Sequence, residues 1–186
     1  MRYLNLFRHG STKLNNHTWN GDRIRWRKDI PLSDEGIQEV TKWAKDVPSW
    51  LIGIITSDLI RTVQTSKILR QALWIPILSK EIGLRPRHLG IFEWQESSKV
   101  FEKLSYYIEH PDEMVPEGES FNDFLIRAVN CMNKILKKYP KANVLIVTHH
   151  RLERLFRALE TGNFIEAEFR KKWDAPGAFC KIAIPK

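Results

Sequence analysis

The sequence predicts an α/β fold, a three-layer sandwich in which a largely parallel central sheet carries helices on both faces. Apolar, strand-like runs at Tyr3–Phe7, Ile52–Thr56 and Asn143–Thr148 alternate along the chain with stretches whose apolar residues recur at threes and fours. That alternation is what parallel strands joined by helical crossovers require. Each run also ends abruptly in polar chemistry: Arg8-His9-Gly10 after the first, Ser57-Asp58 after the second, His149-His150-Arg151 after the third. In an open α/β sheet the carboxyl ends of the strands border the crevice where ligands collect.

In order, the first strand is Tyr3-Leu4-Asn5-Leu6-Phe7. A polar, Asn-rich and Trp-containing stretch from Lys13 to Ile30 follows, without periodicity, and reads as a long loop over the strand end. Pro31-Leu32-Ser33-Asp34-Glu35-Gly36 announces a helix, with Ser33 as cap and Asp34 and Glu35 suited to the positive end of the dipole. Ile37, Val40, Trp43, Ala44 and Val47 give it one buried face. The strand at Ile52–Thr56 is followed by a helix over Leu59–Leu69, with Arg61 near its start, where helices attract anions. Ile75-Pro76-Ile77-Leu78 reads as a shorter strand, placed at an edge because proline cannot donate to a ladder.

From Glu81 to Glu96 the pattern is irregular and predicts a loop with a short strand or turn. Phe101–Ile108 is expected as a short helix, and Phe121, Phe124, Leu125, Ala128, Val129, Met132, Ile135 and Leu136 trace a stronger one. After the strand at Asn143–Thr148, Leu152, Leu155, Phe156 and Leu159 begin a further helix. Ala178–Ile184 closes the chain as an edge strand.

A chain of 186 residues fits one domain, 1–186, with a sizeable core. Its formal charge of +8 attracts anions. The basic residues are scattered, as in Arg23-Ile24-Arg25-Trp26-Arg27-Lys28 and Arg170-Lys171-Lys172, and zinc-finger spacing and basic-zipper heptads are absent. No nucleic-acid partner is therefore expected. Cys131 and Cys180 offer neither a disulfide framework nor metal spacing. No apolar run reaches the length of a membrane span, and the first strand is too soon interrupted by Arg8 to be a secretory signal, so a cytoplasmic protein with no membrane partner is expected.

In a parallel sheet the polar strand ends lie along one edge, which allows Arg8, His9, Arg61 and His149 to share a crevice. Singly, each has a plain structural explanation. Together with Asn15, Asp29-Ile30-Pro31-Leu32-Ser33-Asp34-Glu35-Gly36, Ser57-Asp58-Leu59-Ile60-Arg61-Thr62-Val63-Gln64-Thr65, Pro116-Glu117-Gly118-Glu119-Ser120 and Val147-Thr148-His149, the Leu6–Thr12 motif resembles the histidine phosphatase superfamily, also called the phosphoglycerate mutase-like family. The resemblance covers nearly the whole chain.

It implies a phosphoglycerate mutase-like sandwich and a hydrolase that needs no metal and no cofactor. His9 would be the nucleophile, forming a phosphohistidine that water hydrolyses. Arg8, Arg61 and His149 would hold the phosphoryl oxygens and oppose the charge that gathers there. Gly10, Asn15 and His150 would join them in binding a small phosphorylated substrate.

Two positions depart from the pattern. The family's proton donor is a Glu in a Leu-x-Glu-x-x-x-Gly segment; the corresponding Leu84-Arg85-Pro86-Arg87-His88-Leu89-Gly90 has Pro86 at that position, leaving Glu93, Glu96, Glu117 and His88 as nearby substitutes. After His149, where small glycines are usual, stand His150-Arg151, which either narrow the pocket or add donors. A phosphomonoesterase is the leading expectation. A phosphoglycerate mutase, suggested by Arg87-His88-Leu89-Gly90, and a phosphate-binding regulatory protein with weakened catalysis, suggested by Pro86, are the alternatives.

Overall fold

A computed structural model describes residues 2–14, 23, 24, 27–162 and 176–184. Five strands, β1 (Arg2–Arg8), β2 (Ile54–Thr56), β3 (Ile77–Lys80), β4 (Leu145–Thr148) and β5 (Phe179–Ile184), form one sheet in the order β3-β2-β4-β1-β5. β4 runs parallel to both β1 and β2, and β2 runs parallel to β3. Only β5 is antiparallel, and it pairs with β1 at the opposite edge. Both edge strands are at the edges, as expected, but β3 is Ile77–Lys80 where Ile75–Leu78 was expected, so Pro76 precedes the strand.

The layers follow from side-chain alternation, since successive residues of a strand point to opposite faces. Leu4, Leu6, Ile55, Ile146 and Ile182 pack against helices α4 (Phe121–Lys138) and α5 (His150–Thr161) through Phe124, Ala128, Ile135, Leu152 and Leu155. Phe7, Ile54, Leu145 and Val147 face the other way, onto Val40 of α1 (Asp34–Trp43) and Leu69 of α2 (Ile60–Leu73). A smaller cluster, Ile24, Leu89, Phe92, Val100 and Val115, packs beneath α3 (Ser97–Glu109). Full burial of one such side chain contributes about 1.5–3 kcal/mol. Phe7 and Val147 are wholly buried, so apolar packing holds the very strand ends that carry Arg8 and His149.

The structure adjusts several boundaries. α2 continues past Leu69 to Leu73 because Arg70, Gln71, Ala72 and Leu73 are good helix formers; it stops at Trp74, in the left-handed region at φ 56°, ahead of the Ile75-Pro76 pair that cannot remain helical. α3 begins at Ser97 instead of Phe101. The irregular stretch from Glu81 to Glu96 contains two single 3-10 turns, Ile82–Leu84 and Gly90–Phe92, but none of its residues belongs to a strand of the sheet. The short segments at Thr12 and Arg23 make isolated bridges to Leu32 and Glu96.

The turn after β1 is clamped to the start of α1. A Cβ on Gly36 would lie 2.0 Å from the Ser11 carbonyl oxygen, and one on Gly10 would lie 2.3 Å from the Gly36 carbonyl oxygen. Two backbones approach here at a distance that only glycine permits. Gly36→Ala is therefore expected to destabilise the protein by about 1–3 kcal/mol, read as a lower urea midpoint; an unchanged midpoint would show that this close approach does not constrain the fold.

Candidate active site

Register brings the first two site residues together. Arg8, the last residue of β1, lies opposite Thr148, the last of β4, and the His9 N–H donates to the Thr148 carbonyl at 3.1 Å. His9 and His149 therefore leave adjacent parallel strands side by side, with ring centroids 5.1 Å apart in an edge-to-face arrangement. On the other side of β4, the Ser57 N–H donates to Val147, which sets Ser57 beside His149 as well.

Arg61, in the first turn of α2, joins the pair. Its Nε donates to His9 Nε2 at 3.2 Å, one terminal nitrogen reaches His149 Nδ1 at 3.1 Å, and the other donates to the Lys28 carbonyl at 2.7 Å. A guanidinium only donates, so both imidazole nitrogens that meet it must be acceptors. The remaining nitrogens are then N–H groups: His9 Nδ1 donates to the Gly10 carbonyl at 2.8 Å, and His149 Nε2 to Ser57 Oγ at 3.0 Å. Both tautomers are fixed by geometry.

Electrostatics agree with two neutral rings. Burial lowers the pKa of His9 well below that of a free imidazole, and Arg61, Arg8 and His150 lower it further against the pull of the Gly10 carbonyl. His149 is lowered by the same burial and by Arg61, His9, Arg27 and Arg8. Arg8, Arg61, His9 and His149 are all buried, between 3% and 8% exposed.

The segments that flank the site residues in sequence act as its scaffold. Asp29 accepts from the Ile60 N–H at the start of α2, and Gln64 accepts from the Leu32 N–H at 2.8 Å, so the Asp29–Gly36 segment grips the helix that carries Arg61. Ser33 caps α1, its Oγ accepting from the Gly36 N–H at 3.1 Å. Glu39 takes both the N–H and the hydroxyl of Ser11, at 2.8 and 2.9 Å.

The expected auxiliary residues fare differently. Gly10 helps position the site: its N–H donates to Thr65 Oγ1 at 3.3 Å and its carbonyl accepts from His9 Nδ1 at 2.8 Å. Asn15 lies outside the described residues, as do Arg25, Trp26 and Arg170-Lys171-Lys172. His150 opens α5, buried beside Arg8, and its Nε2 accepts from Arg154 Nε at 3.2 Å. Burial, then Arg8, Arg151 and Arg154, push its pKa down to about 2.

Where the family's acid would stand, Pro86 is buried and its carbonyl accepts from Arg27 Nε at 2.7 Å. Glu119 sits between Arg27 and Arg127, at 3.2 and 2.6 Å, and takes the His88 N–H at 2.8 Å. Asp58 receives two bonds from Arg85. Sequence reasoning missed Ser57, Arg27, the Lys28 carbonyl and Glu39 as parts of this assembly. Ser57 carried a readable signal, since it ends a strand beside β4; the others depend on contacts across unrelated segments.

The buried neutral histidines make stability depend on pH. For His150 the folded pKa lies below the unfolded value of about 6.5, so between the two only the unfolded chain binds the proton and stability falls as pH drops below about 6.5. His150→Gln is expected to reduce that slope by up to about 1.4 kcal/mol per pH unit, measured by urea unfolding at several pH values from neutral to pH about 5; equal slopes in the two proteins would contradict it.

The chain is 31% identical over 148 residues to an uncharacterized phosphatase, PhoE, of Bacillus subtilis (77% of this chain, 69% of that one). It is 30% identical over 151 residues to a probable phosphoglycerate mutase, GpmB, of Proteus mirabilis (77% and 67%). The solved structure of Bacillus stearothermophilus YhfR superposes with a TM-score of 0.81 at 26% identity, covering 100% of this chain and 92% of that one. A family model of the histidine phosphatase superfamily (branch 1) matches residues 4–183, and the chain belongs to that superfamily.

Proposed function

We propose that the protein is a phosphomonoesterase that works through a phosphohistidine at His9 on a small phosphorylated substrate, without metal or cofactor. The observation that carries this reading is the Arg61 bridge between two buried neutral imidazoles, with His9 Nε2 kept as a lone pair. A neutral imidazole is the form that can attack phosphorus.

Arg61 leaves His9 Nε2 for the oxygens of the arriving phosphoryl group, which frees the lone pair for in-line attack. As the Nε2–P bond forms, positive charge on the ring is shared with the Gly10 carbonyl through Nδ1–H. Arg8 and Arg61 oppose the charge on the phosphoryl oxygens, where most of the catalysis of phosphoryl transfer arises. The same anion favours the protonated form of His149, turning its Nδ1 from an acceptor into a donor. Water then hydrolyses the phosphohistidine.

A regulatory phosphate-binding role has one observation in its favour, the proline at the acid position, whose carbonyl is tied to Arg27. The mutase reading draws on the relatives named as probable phosphoglycerate mutases. An assay over aryl phosphates, sugar phosphates, phosphoglycerates and nucleoside monophosphates separates the three: phosphate release supports the esterase, isomerisation without release the mutase, and binding without turnover the regulator. His9→Ala is expected to lower kcat by on the order of 10³-fold or more, and Arg61→Ala by about 10²–10³-fold. Full activity in His9→Ala would refute the phosphohistidine route.

A further inference from the structure

We propose that Glu93 is the general acid of this site, the carboxyl that protonates the leaving oxygen in a chain whose usual acid position is Pro86. The proposal rests on the phosphohistidine reading of His9 and adds to it the source of the proton.

Backbone contacts connect Glu93 to the Arg61 assembly through Arg27 and Lys28. Glu93 Oε1 accepts from the Arg27 N–H at 3.2 Å; the carbonyl of the next residue, Lys28, accepts from Arg61 at 2.7 Å; and Arg61 Nε reaches His9 Nε2 at 3.2 Å. One short run of chain therefore anchors the carboxyl on one side and the phosphoryl-binding guanidinium on the other. Glu93 is itself held by the turn that precedes it, its N–H donating to Gly90 at 3.0 Å. Gly90 packs so closely on the next segment that a Cβ there would lie 1.8 Å from the Pro116 carbonyl oxygen, and the Ile91 N–H donates to that carbonyl at 3.0 Å. Buried Leu89 and Phe92 flank the same turn.

The second carboxyl oxygen, Oε2, is buried and is met by no hydrogen bond of normal geometry among the described residues. A buried carboxylate oxygen left so is costly, whereas a carboxylic acid carries there the proton that a leaving alkoxide would take. Burial raises the pKa of Glu93, against the backbone N–H groups of Arg27 and Leu89 and the charges of Lys28 and Arg27.

The other acidic groups nearby are in the opposite condition. Arg85 holds Asp58 low. Burial would raise Glu119, but the bonds and charge of Arg127, with Arg27, bring it below the usual range. Lys99 holds Glu96 low, and Glu117 is exposed. Burial and Arg27 lower the pKa of His88, which leaves it a neutral imidazole.

In the first step the His9 Nε2–P bond forms, the P–O bond to the alcohol breaks, and the Glu93 proton goes to the departing oxygen. In the second, the Glu93 carboxylate takes a proton from the attacking water, the N–P bond breaks, and phosphate leaves with both groups restored.

The test compares wild type and Glu93→Gln on glycerol phosphate and on dinitrophenyl phosphate, whose leaving group needs no proton. Glu93→Gln is expected to lose about 10²–10⁴-fold on the alkyl ester and no more than a few-fold on the aryl ester, which also reports that the variant is folded. The alkaline fall of kcat/KM on the alkyl ester should vanish with it. Equal losses on both esters, or no loss on either, would overturn the assignment. So would a wild-type rate that depends steeply on leaving-group acidity, a measurement that needs no variant. A wild type inactive on the aryl ester would instead refute the phosphohistidine reading itself.

Discussion

One guanidinium sets the geometry of this site. Arg61 divides its donors among His9, His149 and the Lys28 carbonyl, so a single planar, permanently charged group fixes the orientation of two imidazoles and of the loop beside them. Lysine has a point charge on a flexible stem and could not serve all three at once. Much of the surrounding sequence exists to hold that fork still. Asp29 secures the start of α2, Gln64 ties the second turn of the helix to Leu32, and Thr62 bonds back to the Ser57 carbonyl at 2.9 Å.

The charge distribution follows the same plan. Burial above all keeps His9 and His149 neutral, and the charges that add to it come chiefly from arginines. Carboxylates of the adjoining loops are matched elsewhere: Asp58 with Arg85, Glu119 with Arg27 and Arg127. The Arg27–Glu119–Arg127 network also holds the Pro86 carbonyl and so stiffens the segment in which Pro86 stands. No helix among the described residues is long and apolar enough to cross a membrane.

Much of this was legible in the residues alone, for physical reasons that can be named. β1, β2 and β4 announced themselves because buried central strands are continuous apolar runs. Pro76 correctly marked the edge. Register, however, depends on the partner strand, so the meeting of His9, Ser57 and His149 could only be anticipated as a shared edge of the sheet. Helix ends were less legible: α2 runs four residues beyond Leu69, to Leu73, which continues the apolar spacing onto the core, and the left-handed Trp74 decides the stop. The resemblance assigned Gly10 to substrate binding, and the structure adds a second role for it. It permits the close approach to Gly36 and supplies the carbonyl that orients His9. Glu93 could be named from sequence only as one of several nearby acids. Its burial, and the proximity of Arg27 and Lys28 to Arg61, arise from loop contacts that no periodicity encodes.

The central claim is that His9 Nε2 is the atom that takes the phosphoryl group. Rapid acid-free quenching of the enzyme during turnover of an aryl phosphate, followed by peptide mapping, tests it directly. A base-stable, acid-labile phosphoryl group on the peptide containing His9 is the predicted result. A phosphoryl group on another residue, or steady turnover with none on the protein, would contradict it.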